Sequence, residues 1–66
     1  MKKITYLITE GTETYGMEFV TDRSKEWTEE QYKRHRLDCT MVFISEKETN
    51  ETILLQQKLV HYYNNN

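Results

Sequence analysis

Proline is absent from this chain, glycine occurs twice and cysteine once in 66 residues. Each scarcity removes a class of explanation. A lone cysteine, Cys39, forbids an internal disulfide and agrees with a reducing compartment. No set of Cys, His and Asp has metal-ligand spacing, so no metal or other cofactor is expected. Gly11 and Gly16 lack the Lys-Ser/Thr ending of a phosphate-binding loop. Charge of one sign is not in large excess either. Nine Lys and Arg against eleven Asp and Glu leave a net charge of −2, which favours solubility and is not the basic footprint of a nucleic-acid binder. No apolar run approaches a membrane span. The start Met1-Lys2-Lys3-Ile4-Thr5-Tyr6 has basic residues but not the apolar stretch of a signal peptide. These absences point to a cytoplasmic protein with no membrane partner.

What is present is aromatic bulk: five Tyr, two Phe and one Trp. That is enough to build a compact core, and it argues against disorder. The length allows one small α+β domain, residues 1–63, with residues 64–66 as a frayed polar tail. A core of this size yields only a few kcal/mol of net stability. With no disulfide or metal to help, self-association as a homodimer is expected.

Along the chain, residues 2–9 alternate. Ile4, Tyr6 and Ile8 share one face, and Lys3, Thr5, Leu7 and Thr9 share the other, which is the period of a strand. Residues 10–13 read as a turn with Gly11 available for positive φ. Tyr15, Met17 and Phe19 alternate with Gly16, Glu18 and Val20, a second strand forming a hairpin with the first. Glu18 marks the wet face. Thr28 followed by Gln31 has capping-box spacing, and Trp27 with Tyr32 fits a hydrophobic staple. This predicts a helix over residues 29–36. A start at Ser24 would lengthen it by a turn and place Trp27 inside.

Residues 37–60 read as a second hairpin on which the chain is organised. Its first strand runs from Leu37 through Ser45, its second begins near Thr52, and residues 46–51 form a polar turn in which Asn50 takes positive φ. Met41-Val42-Phe43-Ile44 is apolar on both faces, the pattern of a central or covered strand. The last segment reads as strand through Gln57, with strand or helix open for residues 58–63. The sum is ββαββ: an antiparallel sheet of three or four strands with one short helix on one face. The other face is then solvated or covered by a second copy.

Catalytic equipment is not evident. A nucleophile needs a base, and the base an orienting group. Cys39 has only His35 nearby, across an apparent helix-to-strand junction, and reads as a packed thiol. His61 has no companion, and the carboxylates form no dyad. The chain is therefore expected not to be an enzyme.

Two surfaces remain. The acidic residues Glu10, Glu13 and Glu18 of the first hairpin, and Glu46, Glu48 and Glu51 of the second turn, would form an acidic surface joined by Tyr15, Tyr62 and Tyr63. Its bland reading is solvated turn charge that opposes edge aggregation. The basic run Lys33, Arg34, His35 and Arg36, with Arg23 and Lys25 near it, would contact phosphates while Trp27 or Tyr32 stacks on bases. Its bland reading is stronger: cations belong at a helix C-terminus, and Glu29–Lys33 and Glu30–Arg34 are spaced as helical ion pairs. The leading expectation is a small non-catalytic module that binds another protein. Its sharper form is an inhibitor of a host protein, of phage or bacterial type, acting through the acidic and aromatic surface. The alternatives are a nucleic-acid-binding protein using Lys33, Arg34 and Arg36, and a self-assembling structural component.

Overall fold

The structure, a computed structural model, describes residues 1–59. It has the expected composition of elements: a four-stranded antiparallel sheet and one short helix in the order ββαββ. β1 (Lys2–Glu10) and β2 (Glu13–Thr21) pair in continuous antiparallel register, Ile4 opposite Phe19, Tyr6 opposite Met17 and Ile8 opposite Tyr15. Gly11 closes the turn at φ +64°, a conformation other residues rarely adopt. Its amide donates to the Asp38 carbonyl at 3.0 Å, which ties the turn to the chain entering the third strand.

The helix α1 (Lys25–Lys33) begins at the earlier of the two sequence signals. Ser24 is the N-cap, and its hydroxyl accepts from the Trp27 amide at 3.1 Å. Thr28 is one turn inside, its hydroxyl donating to the Ser24 carbonyl at 3.0 Å. Ser outranks Thr slightly as an N-cap, and Tyr32 is the buried residue of the last turn. The helix ends at Lys33 rather than Arg36. Its Glu–Lys spacings go unused: Glu29 instead accepts the Tyr6 hydroxyl at 2.8 Å.

The second hairpin does not form. β3 (Cys39–Glu48) and β4 (Leu55–Leu59) lie on opposite edges of a sheet ordered β3-β1-β2-β4. β3 pairs with β1, and β4 with β2. Both ends of the connection still lie at one end of the sheet, since each outer strand is antiparallel to its neighbour. The gap between edge strands is about 14 Å at ordinary strand spacing, and residues 49–54 reach roughly 20 Å when extended. A polar stretch that reads as a turn is thus long enough to cross the sheet's end. No non-glycine residue among those described has positive φ, so Asn50 does not take the conformation expected of it.

This order also explains α1. β2 and β3 run in the same direction with β1 between them, so the chain must travel the length of the sheet to begin β3, and the helix makes that crossing. It covers the face carrying Ile4, Tyr6, Ile8, Tyr15, Met17 and Phe19, which with Tyr32 form the core. The rings of Tyr6, Phe19 and Tyr32 meet edge to face at centroid distances of 5.8 and 5.5 Å. Each buried large apolar side chain contributes about 1.5–3 kcal/mol.

Met41 to Ile44 is not central. β3 is an edge strand, with Val42, Phe43 and Ile44 each 41–52% exposed. Its register shifts where Ile44 adds a residue opposite Thr5 and Tyr6 of β1. The face away from α1 is not simply wet, because Val20 and Thr5 on it are buried. There the crossing link sets the Glu51 carboxylate 3.0 Å from Lys3 Nζ. That contact first, and then the charge of Glu18, raises the Lys3 pKa. The expectations for residues 60–63, for His61 and for the tail at 64–66 lie outside the described residues.

A candidate docking groove

The acidic residues do not gather. Glu10 and Glu13 face each other at the turn of the first hairpin, while Glu46 and Glu48 lie at the far end of the sheet, opposite Ile4 and Lys2. Most are partnered within the chain. Glu13 approaches Lys58 Nζ at 3.7 Å, Glu46 approaches Lys2 Nζ at 3.9 Å, and Glu51 takes Lys3. Glu18 accepts from Gln57 Nε2 at 3.1 Å. Tyr15 is 1% exposed and belongs to the core rather than to a contact surface. Tyr62 and Tyr63 lie outside the described residues.

Tyr15 instead joins a polar chain that locks the helix end to the hairpin turn. Its hydroxyl donates to Glu10 Oε1 at 2.9 Å and lies 2.7 Å from the Tyr32 hydroxyl. Tyr15 has one hydroxyl proton, so Tyr32 donates to Tyr15 and Tyr15 to Glu10. Arg36 completes the cluster. Its guanidinium lies 3.7 Å from the Tyr32 ring centroid, one terminal nitrogen donates to the Tyr32 carbonyl at 2.7 Å, and Nε is 3.8 Å from Glu10. Burial first, and then the Tyr32 and Glu10 hydrogen bonds, raise the Tyr15 pKa well above the phenol range.

The basic run is therefore divided. Arg36 is committed to this cluster, whereas Lys33 and Arg34 project from the helix end, exposed and without an ion pair among the described residues. Tyr32 is buried and its face is taken by Arg36, so it offers no surface to a base. Cys39 is half-buried. Burial, and after it the charge of Glu10, push its thiol pKa up, the opposite of what a nucleophile needs.

The residues that come together are others. Between α1 and β4 lies a groove of about 590 Å³, within the range of ligand clefts. Its lining includes Phe19 and Tyr32 of the core, Trp27 and Arg23 beside α1, and Leu54 and Leu55 from the chain entering β4. The Arg23 guanidinium lies 5.0 Å from the Trp27 ring centroid. No carboxylate pairs with it among the described residues. Trp27 is 40% exposed and Leu54 65% exposed. The sequence brings these groups together in two steps. The Ser24 cap fixes the first turn of α1, which carries Trp27, and the crossing link delivers Leu54 and Leu55 to the same groove. The basic arginine and the tryptophan were separately visible in the sequence. Leu54 and Leu55 carried no signal, since their role depends on a strand order that local pattern does not encode.

Such a groove can hold an apolar side chain between Trp27 and Leu54 while a carboxylate or phosphate meets Arg23. Among the described residues no group of His, Cys, Asp and Glu is placed to hold a metal ion, and no helix is long and apolar enough to cross a membrane. Comparison with protein families, with curated proteins and with solved structures finds no match to this chain.

Proposed function

We propose that the chain is a small non-catalytic protein-binding module whose docking site is the groove between α1 and β4. The observation that carries this reading is the pairing of an exposed Trp27 with an Arg23 guanidinium that has no carboxylate partner among the described residues, beside exposed Leu54. Trp and Arg are the side chains that most often dominate binding energy at protein interfaces, above all where a ring closes on an apolar pocket. An arginine stacked on an aromatic face keeps its edge free for a carboxylate. The partner is accordingly a segment with an aliphatic or aromatic side chain next to Asp or Glu. Inhibition of a host protein, the sharper form of this function, would act through the same contact.

The test is selection of linear peptides from a displayed random library on the immobilised protein. Enriched peptides are expected to place Asp or Glu beside an apolar residue, and to lose binding to the Trp27→Ala and Arg23→Glu variants. Peptides that bind both variants as well as the parent would overturn the assignment. A nucleic-acid role predicts a different outcome: binding to single-stranded oligonucleotide that falls steeply with salt and disappears in Arg34→Glu.

A further inference from the structure

The groove occupies one side of α1, and the other side of the sheet ends in β3. This strand is ten residues long and no described strand lies outside it. Natural edges are usually shortened, charged or bent away, because a row of unpaired amides and carbonyls recruits another strand. β3 is protected over only half its length. Glu46, Lys47 and Glu48 guard the end beyond the extra residue Ile44, while Cys39-Thr40-Met41-Val42-Phe43 presents a straight edge on which Val42 and Phe43 are exposed and Cys39 and Met41 pack against the core.

We infer that this unguarded half pairs antiparallel with the same strand of a second copy, giving a two-fold dimer with a continuous eight-stranded sheet. The charge pattern selects the second copy as occupant. Glu46 and Glu48 stand opposite Ile4 and Lys2 of β1, and Ile4 is a core residue under α1, so both carboxylates project on the helix side of the sheet. Lys33 and Arg34, at the end of α1, lie on that same side but at the opposite end of β3, which begins at Cys39. A two-fold axis perpendicular to the sheet near Val42 keeps the faces and reverses the ends. It sets the acidic end of each β3 beside the basic helix end of its partner. Lys47 projects on the other face and does not oppose this; of the acids at the basic end, Glu10 is engaged by Arg36 and Glu13 by Lys58, and Asp38 stands beside the start of β3. Parallel pairing of the same edges would instead turn the two helices to opposite faces and leave each acidic end without a basic partner. Glu48, Lys33 and Arg34 have no ion pair within the chain among the described residues. Each is free for the contact across the axis. The two grooves then lie at the outer edges of the dimer, one per copy.

The experiment is sedimentation equilibrium of the full chain over a range of concentrations, with hydrogen exchange read on residues 40–44. A dimer is expected, and exchange of the outward β3 amides should slow as concentration rises. Val42→Lys should yield a monomer with unchanged circular dichroism. Glu48→Lys should weaken association about tenfold by setting like charges against each other, and adding Arg34→Glu to that chain should restore it. A monomer at every concentration, or a dimer that survives Val42→Lys, would overturn the inference. So would a Glu48→Lys defect that Arg34→Glu does not repair. None of these outcomes bears on the groove, whose residues are untouched by the variants.

Discussion

The inner pair of strands and the outer pair differ in how they use apolar residues. β1 and β2 place Ile4, Tyr6, Ile8, Tyr15, Met17, Phe19 and Val20 out of solvent, and among the described residues Tyr32 of α1 is the remaining buried apolar one. β3 and β4 bury none to that degree, although β3 contains the most continuous apolar run of the chain. Continuity of apolar residues is commonly taken as a sign of a strand buried on both faces. Here it marks an edge. The alternating strands are the central ones, because α1 covers one face and polar groups share the other.

Three sets of substitutions sharpen this contrast, in falling order of effect. Tyr6→Ala removes a ring with 0% exposure and its hydroxyl contact to Glu29. It should cost about 3–5 kcal/mol, which in a chain of this size leaves little folded protein in urea titration. Phe43→Ala, at the matching position on β3, should cost about 1 kcal/mol. Equal losses would mean that β3 carries the core after all.

Tyr15→Phe comes next. It breaks the link from Tyr32 to Glu10, and hydrogen bonds to charged groups contribute roughly 1.5–3 kcal/mol. The same link shapes the alkaline limit. Burial first, and then hydrogen bonding, raise the Tyr6 and Tyr15 pKa values above the ordinary 10.0, so the folded chain holds both phenolic protons more tightly than the unfolded one. Their contribution is complete below pH 10 and is lost as pH rises beyond it. Melting temperature should decline from about pH 10 upward, and Tyr15→Phe should flatten part of that decline. A steeper slope in the variant would refute the assignment.

The smallest effects belong to the outer half. Leu37 is fully exposed, and Leu37→Ser should change stability by less than about 0.5 kcal/mol. Cys39 should react with alkylating reagents more slowly at pH 8 than an unstructured cysteine peptide does, since its thiol pKa is raised. Faster reaction would reopen a chemical role for the thiol.

Much of this fold could be read from the sequence, and the limit has a physical cause. Period-two alternation identified β1, β2 and their faces, and Gly11 marked their turn. The helix was legible through Ser24 as well as Thr28, and local spacing alone does not decide between two adjacent capping signals. The pairing of β3 and β4 was not legible, because both strands look alike whether their partner is adjacent or across the sheet. The groove shared that fate. Arg23 and Trp27 sit close in the chain, but Leu54 joins them only through the crossing of residues 49–54. The dispersal of the acidic residues was hidden for another reason: counting carboxylates by position ignores the lysines that tertiary structure brings to them.

The strand order also bears on how the chain folds in time. The β1–β2 hairpin joins neighbours, so it closes over a short loop and forms quickly. β3 meets β1 only after α1 has crossed the sheet, with Lys2 finally opposite Glu48. β4 must wait for the second crossing. Chains rich in such distant pairings fold slowly, since the entropy of closing each long link is lost before its contacts form. During synthesis the finished hairpin would leave the ribosome with both edges open. A chaperone that shields strand edges should therefore raise the yield of folded chain more than one that accelerates helix formation.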